Sequence, residues 1–356
     1  MSSILDDPKN ISKFDTHNML KLISELPCQC RDAYGIGKKI LLHDMPQKID
    51  NLIFAGLGGS AIGADVIRIY LQNELKVPIV VSRNYKLPGF VGKNTLLICS
   101  SYSGNTEETL ASFEDGLSRG AFIITLGSGG RLKELSVKNG FTHIDIPSGY
   151  PPRTAIGYMS ITLLAVLNQL GIVEDKGGEV EKVYTALSDL RDREIGIDVP
   201  ITKNLSKTLA EKLYNRFCVV YGTSDSTEAV ALRWRGQIAE NSKSLSSSHV
   251  LPEMNHNEIV GWEFPKKLLK DFKVIVLRDK NDHPRTQKRI DISIDIIKQS
   301  GAEIFPIERE NSSFLARIFS LIYIGDFLSF YLAILNKIDP TPVKRVDYLK
   351  KELMKA

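Results

Sequence analysis

Apolar residues in this chain gather in short runs, separated by helix-length stretches whose apolar positions recur every three or four residues. The runs at 51–56, 78–82, 95–99 and 121–126, with a shorter one at 144–146, read as buried strands. Helices are predicted from the turn at 56–60 through Leu71, and at 107–119. Strand and helix alternate at the spacing of right-handed crossovers, which predicts a parallel sheet covered by helices on both faces. The pattern then repeats, with strand 216–222, turn 223–226, a helix from Thr227, strand 272–277, helix 284–300 and strand 303–307. An apolar helix at 156–170 and a polar one at 177–193 join the halves.

The expected fold is therefore α/β: two three-layer αβα units, each a parallel sheet flanked by helices. The divisions are a helical arm at 1–48, a first unit at 49–155, linking helices at 156–204, a second unit at 205–338 and a tail helix at 339–356. Composition refines this picture little. Charged residues at 25% and hydrophobic ones at 43% are those of a globular protein, and 356 residues suffice for two cores. A net charge of +4 mildly suits an anionic ligand, but no Arg-rich run points to nucleic acid. The opening MSSILDDPKN is polar and acidic, unlike a secretory signal. The most apolar stretch, 319–335, carries Asp326 and two serines, so a buried helix is expected there and no membrane span. Cys28-Gln29-Cys30 has no second cysteine pair to complete a metal site. The expectation is a cytoplasmic protein with neither metal nor cofactor.

The most informative segment runs from the apolar strand ending at Cys99 into Ser101-Tyr102-Ser103-Gly104-Asn105-Thr106 and then a helix. Ser101, Ser103 and Thr106 converge on a helix N-terminus, where unpaired N–H groups and the helix dipole favour an anion. With no Lys or Arg in the loop, neutral donors would hold a phosphate that must also leave; the plainer reading is an N-cap with surplus serines. Its counterpart in the second half, 278–284, has acids in place of hydroxyls, so one phosphate site per chain is expected. Gly56-Leu57-Gly58-Gly59-Ser60 with Gly63 invites a dinucleotide reading. The spacing departs from that fingerprint, though, and Arg83 stands where the ribose-binding acid belongs. Gly59 and Ser60 suit close approach to a sugar better. Arg153, stiffened by Pro151 and Pro152, is either an inter-domain ion pair or a fixed cation for an enediolate. Glu240 ends a helix, the place for a catalytic carboxylate, and His256 lies in a crowded polar loop near Glu258 without any zinc spacing.

Taken together, GLGGSAIG, SSYSGNTEET, PPRTAIG, RWRGQIAENSK, PEMNHNEIVGW and DPTPVKRVDYLKKEL resemble the sugar isomerase (SIS) superfamily, most closely the archaeal-type bifunctional phosphoglucose/phosphomannose isomerases. The resemblance implies two SIS domains and interconversion of glucose 6-phosphate and mannose 6-phosphate with fructose 6-phosphate. Ser101, Ser103 and Thr106 would bind the phosphate, and Gly59 and Ser60 the sugar. Arg153 would stabilise the enediolate, and Glu240 would move the proton between C1 and C2. It also implies a homodimer in which His256, opening the ring, comes from the neighbouring subunit. A tail lysine assists; Lys350 is the first choice, with Lys344 and Lys351 as alternatives, and Thr341 is a candidate for accepting the mannose epimer. A sensor of sugar phosphates, or an isomerase of another phosphosugar, is the competing expectation.

Overall fold

A computed structural model describes residues 4–40, 46–353 and 355. Residues 1–3 and 41–45 of the predicted arm, and Met354 and Ala356 of the tail, lie outside the described residues. The first sheet contains β1 (Asn51–Ala55), β2 (Ile79–Ser82), β3 (Thr95–Ser100), β4 (Phe122–Gly127) and β5 (Thr142–Asp145) in the order β2-β1-β3-β4-β5. The second contains β6 (Phe217–Thr223), β7 (Ser246–Leu251), β8 (Phe272–Leu277) and β9 (Glu303–Ile307) in the order β7-β6-β8-β9. Every pairing is parallel. The two sheets share one connectivity, and each reverses its winding beside its first strand.

Alternation along the strands explains the layers. Leu52, Phe54, Leu96, Ile98, Ile124 and Leu126 face one way, and in the second sheet so do Cys218, Val220, Ile275 and Leu277. All of them join a single core between the sheets. Their neighbours Ile53, Ala55, Leu97 and Cys99 pack outward under Phe113 and Leu132, while Val219, Tyr221, Val274 and Val276 pack outward under Ile290 and Ile294. Strands buried on both faces must be apolar throughout, which is why they read as continuous runs. The shared core also takes in the helices Ile156–Gln169 and Phe314–Leu335. The latter is long and apolar enough to cross a membrane, yet its apolar window is entirely buried within the protein.

Four elements differ from expectation. No strand is expected between the helix from Thr227 and that at 272–277, yet Ser246–Leu251 forms strand β7, whose sequence SSSHVL gives no apolar run because it pairs with β6 alone at the sheet edge. The helices Gly130–Lys138 and Leu205–Leu213 were not predicted. The last strand of the first sheet lies at Thr142–Asp145, earlier than the 144–146 expected.

Candidate active site

In parallel sheets ligands bind beyond the carboxyl ends of the strands where the winding reverses, here between β1 and β3. Both strands end in turns that open helices at that point, Gly58–Leu71 and Glu107–Ser118. Neither helix has a side-chain cap on its first N–H groups: Leu57 is the N-cap of one, and Thr106 that of the other makes no capping bond. Instead the Thr106 hydroxyl meets that of buried Ser101 at 2.9 Å. Ser103 is exposed, its Oγ accepting from the Asn105 amide at 3.3 Å. An N-cap with surplus serines would cap the helix; here no side chain caps its first amides, and the Ser101 and Thr106 hydroxyls face each other instead, a geometry suited to an incoming anion. Gly58 holds a left-handed backbone (φ 53°). At Gly59 a Cβ would stand 2.7 Å from the Pro152 carbonyl, so that glycine lets the first turn nest against the Pro151–Arg153 segment. Ser60 is buried behind it.

Arg153, 4% exposed, sits in the short turn Pro152–Thr154 and reaches across to the second half. Its Nε donates to Asn241 Oδ1 at 2.6 Å, and its Nη2 donates to the carbonyls of Pro340 and Thr341 at 2.9 and 2.8 Å. This leaves Nη1 facing the Glu240 carboxylate, 3.5 Å away. The two readings of Arg153 therefore merge, since it is an ion pair between the halves whose partner is the predicted base. Burial draws its pKa below the usual guanidinium value, with Glu240 opposing, but an arginine remains charged. Glu240 is half-buried, with 42% of its side chain exposed to the cleft.

The helix Glu228–Ser242 is held by a polar stripe that sequence reasoning did not assign. Arg233, Gln237 and Glu240 share one helix face, spaced four and three residues apart. Arg233 pairs with Asp326 at 2.8 Å and donates to the Arg153 carbonyl, also at 2.8 Å. Gln237 donates to Asp326 at 2.7 Å, and Asn241 to the Ser329 hydroxyl at 2.9 Å. Asp326 and Ser329 are two of the three residues, with Ser320, that interrupt the apolar run, and that interruption was the available signal.

Gly59, Arg153, Arg233, Gln237 and Glu240 line one cleft of about 320 Å³. Ser60, Ser101, Ser103 and Thr106 are not among its lining residues, and neither are His256 and Lys350. His256 is exposed in the turn Glu253–His256 after β7, and Lys350 lies on the exposed helix Lys344–Leu353, which also carries Lys344 and Lys351. One chain alone does not bring either to Glu240. Thr341 does approach, through its carbonyl on Arg153. Arg83, a possible cofactor contact, is paired with Asp65 of the adjoining helix. Glu258 accepts from the Tyr221 hydroxyl at 2.5 Å, a packing role apart from His256. Among the described residues no three His, Cys, Asp or Glu side chains gather as metal ligands.

The second sheet answers why its own reversal point is no twin cradle. Hydroxyls survive there, on Thr223 and Ser226, but both donate to Asp282 from the loop after β8, at 3.0 and 2.6 Å. Asp279 of the same loop pairs with buried Arg317 at 2.7 Å. A carboxylate of the chain itself occupies the donors an anion would use.

Residues 202–353 match the family described as "Bacterial phospho-glucose isomerase C-terminal SIS domain". The chain is 47% identical to a bifunctional phosphoglucose/phosphomannose isomerase of Caldicellulosiruptor bescii, over 94% of this chain and 98% of that one. It is 37% identical to the protein of the same name from Aquifex aeolicus, over 85% and 90% of the two chains. The fold is shared with hypothetical protein TT0462 of Thermus thermophilus (TM-score 0.76, 13% identity, 98% and 92% covered). It is shared too with a putative phosphosugar isomerase of Clostridium difficile 630 (TM-score 0.72, 15% identity, 94% and 97% covered).

Proposed function

The chain belongs to the bifunctional phosphoglucose/phosphomannose isomerase family, and on that premise we propose how it interconverts glucose 6-phosphate and mannose 6-phosphate with fructose 6-phosphate. The observation that carries the reading is the Arg153–Glu240 pair, 3.5 Å apart in a cleft beside Gly59. A carboxylate that moves a proton and a fixed cation that receives developing negative charge are what an aldose–ketose isomerisation requires.

The phosphate enters the hydroxyl loop of Ser101, Ser103 and Thr106, and Gly59 and Ser60 approach the sugar. Binding energy from this remote handle positions C1 and C2 at Glu240. After ring opening, Glu240 removes the C2 proton of the open-chain aldose. The C2 electron pair forms the C1–C2 double bond and the C1 carbonyl becomes an enediolate oxygen beside Arg153. A proton passes from the C2 hydroxyl to the C1 oxygen, and Glu240 then returns its own proton to C1 as the C2–oxygen bond becomes the ketone carbonyl. Both aldoses give the same enediol once C2 loses its proton, so one site serves both, with Thr341 near enough to bear on the epimer. Ring opening needs groups that a single chain leaves outside the cleft. We assign it to His256 from a second copy in a homodimer and to a tail lysine, Lys350 in preference to Lys344 or Lys351. The first unit thus binds and the second reacts. We infer a cytoplasmic setting, where charged sugar phosphates are made and consumed.

Glu240→Gln tests the assignment. It should abolish turnover while fructose 6-phosphate still binds, and retained turnover would remove Glu240 from the mechanism.

A further inference from the structure

The base-bearing helix ends on Lys243 in a left-handed backbone conformation (φ 55°, ψ 27°), a position that ordinarily favours glycine. The side chain folds back, and its Nζ lies 2.7 Å from the Glu240 carbonyl, 3.3 Å from that of Asn241, 2.8 Å from Pro340 and 3.3 Å from Asp339. Two of these carbonyls close the helix that carries Glu240. The other two belong to the segment leading into the helix that carries Lys350. An ammonium, a compact charge with three donors, fits such a cluster of carbonyls better than a planar fork does.

The same segment is gripped from its other side, since Arg153 Nη2 shares the Pro340 carbonyl and takes that of Thr341. Asp339 accepts from His17 Nδ1 at 2.6 Å and from Thr16, both in the N-terminal arm, and also from the Thr341 amide at 2.8 Å. Between these holds the Thr341 hydroxyl is buried with no hydrogen-bond partner.

We propose that Lys243 is a positioning residue of the isomerase site: its ammonium ties the backbone at Glu240 to the Asp339–Pro340 backbone, fixing the base, Arg153 and the root of the tail in one geometry. The inference rests on the isomerase reading above. The charged groups facing Lys243 are Arg153, which repels it, and Asp339 and Glu240, which attract it; His17 bears on it through Asp339. Burial foremost, with Arg153, pulls its pKa down to about 8 against those two carboxylates. The clamp is therefore charged below that pH and loses its charge as pH rises through it.

The test uses the full chain with fructose 6-phosphate as substrate, comparing wild type, Lys243→Met and Lys243→Arg. Lys243→Met should lower kcat about 10- to 100-fold at pH 7, the scale of a small misplacement of reacting groups. Its KM should stay within about threefold, because the phosphate loop lies on the other unit. Its melting temperature should change little, since Lys243 as a whole is exposed and water can take over the carbonyls. Lys243→Arg, which keeps its charge but fits the four carbonyls less well, should recover only part of kcat and lack the wild-type decline above pH 8. A role confined to helix capping would leave the pH profile unmoved. The inference is overturned if Lys243→Met keeps kcat within about twofold, or if Lys243→Arg declines at the same pH as wild type. Wild-type protein without turnover overturns the isomerase reading and this inference together; active wild type with an indifferent Lys243→Met overturns this inference alone.

Discussion

Asp326 sits within the helix Phe314–Leu335 with its side chain 6% exposed, accepting from Arg233 at 2.8 and 3.1 Å and from Gln237 at 2.7 Å. Asp326→Ala strands the Arg233 guanidinium in the core, where it keeps its bond to the Arg153 carbonyl. Removing one member of a buried pair costs about 3–5 kcal/mol, because the surviving charge stays out of water. The orphaned Gln237 amide adds about 1 kcal/mol. Against a total stability of about 5–15 kcal/mol, this is a large fraction of the whole. Equilibrium urea denaturation followed by circular dichroism should show a lowered midpoint at an unchanged slope. Combining Asp326→Leu with Arg233→Met removes both charges at similar volume and should restore most of the loss. Activity distinguishes the two proteins. The double variant still lacks the hydrogen bond from Arg233 to the Arg153 carbonyl, so its kcat should remain about 10-fold low even where stability returns. An Asp326→Ala protein within about 1 kcal/mol of wild type would refute the reasoning.

The two reversal points predict opposite phenotypes for similar substitutions. Ser101→Ala, at the open loop, should raise KM for fructose 6-phosphate by about 10-fold, the loss of one hydrogen bond to a charged group, with the fold intact. Ser226→Ala, at the point filled by Asp282, should leave KM unchanged and lower the urea midpoint. A KM effect at Ser226 would place substrate at the second sheet.

What could be read from the sequence divides along physical lines. Strands β3 and β8 are buried on both faces and therefore announce themselves as apolar runs. Strand β7 is half-exposed at an edge, and SSSHVL carries neither an apolar run nor a strict alternation. Arg153 and Glu240 stood out by residue type and position. Their supports did not, because Asn241 and Asp326 acquire meaning only from partners about ninety residues away in the chain. The loop 278–284 carries acids in place of hydroxyls, as its sequence says, and what the sequence did not show is that its Asp282 takes the hydroxyls of Thr223 and Ser226 one strand over. The ring-opening roles of His256 and Lys350 came from family resemblance alone, and the single chain leaves both outside the cleft.

The central claim is that one metal-independent site with Glu240 as its base handles both aldoses. Purified wild-type protein supplied with fructose 6-phosphate in the presence of EDTA should form both glucose 6-phosphate and mannose 6-phosphate; fructose 6-phosphate left unconverted would contradict the account.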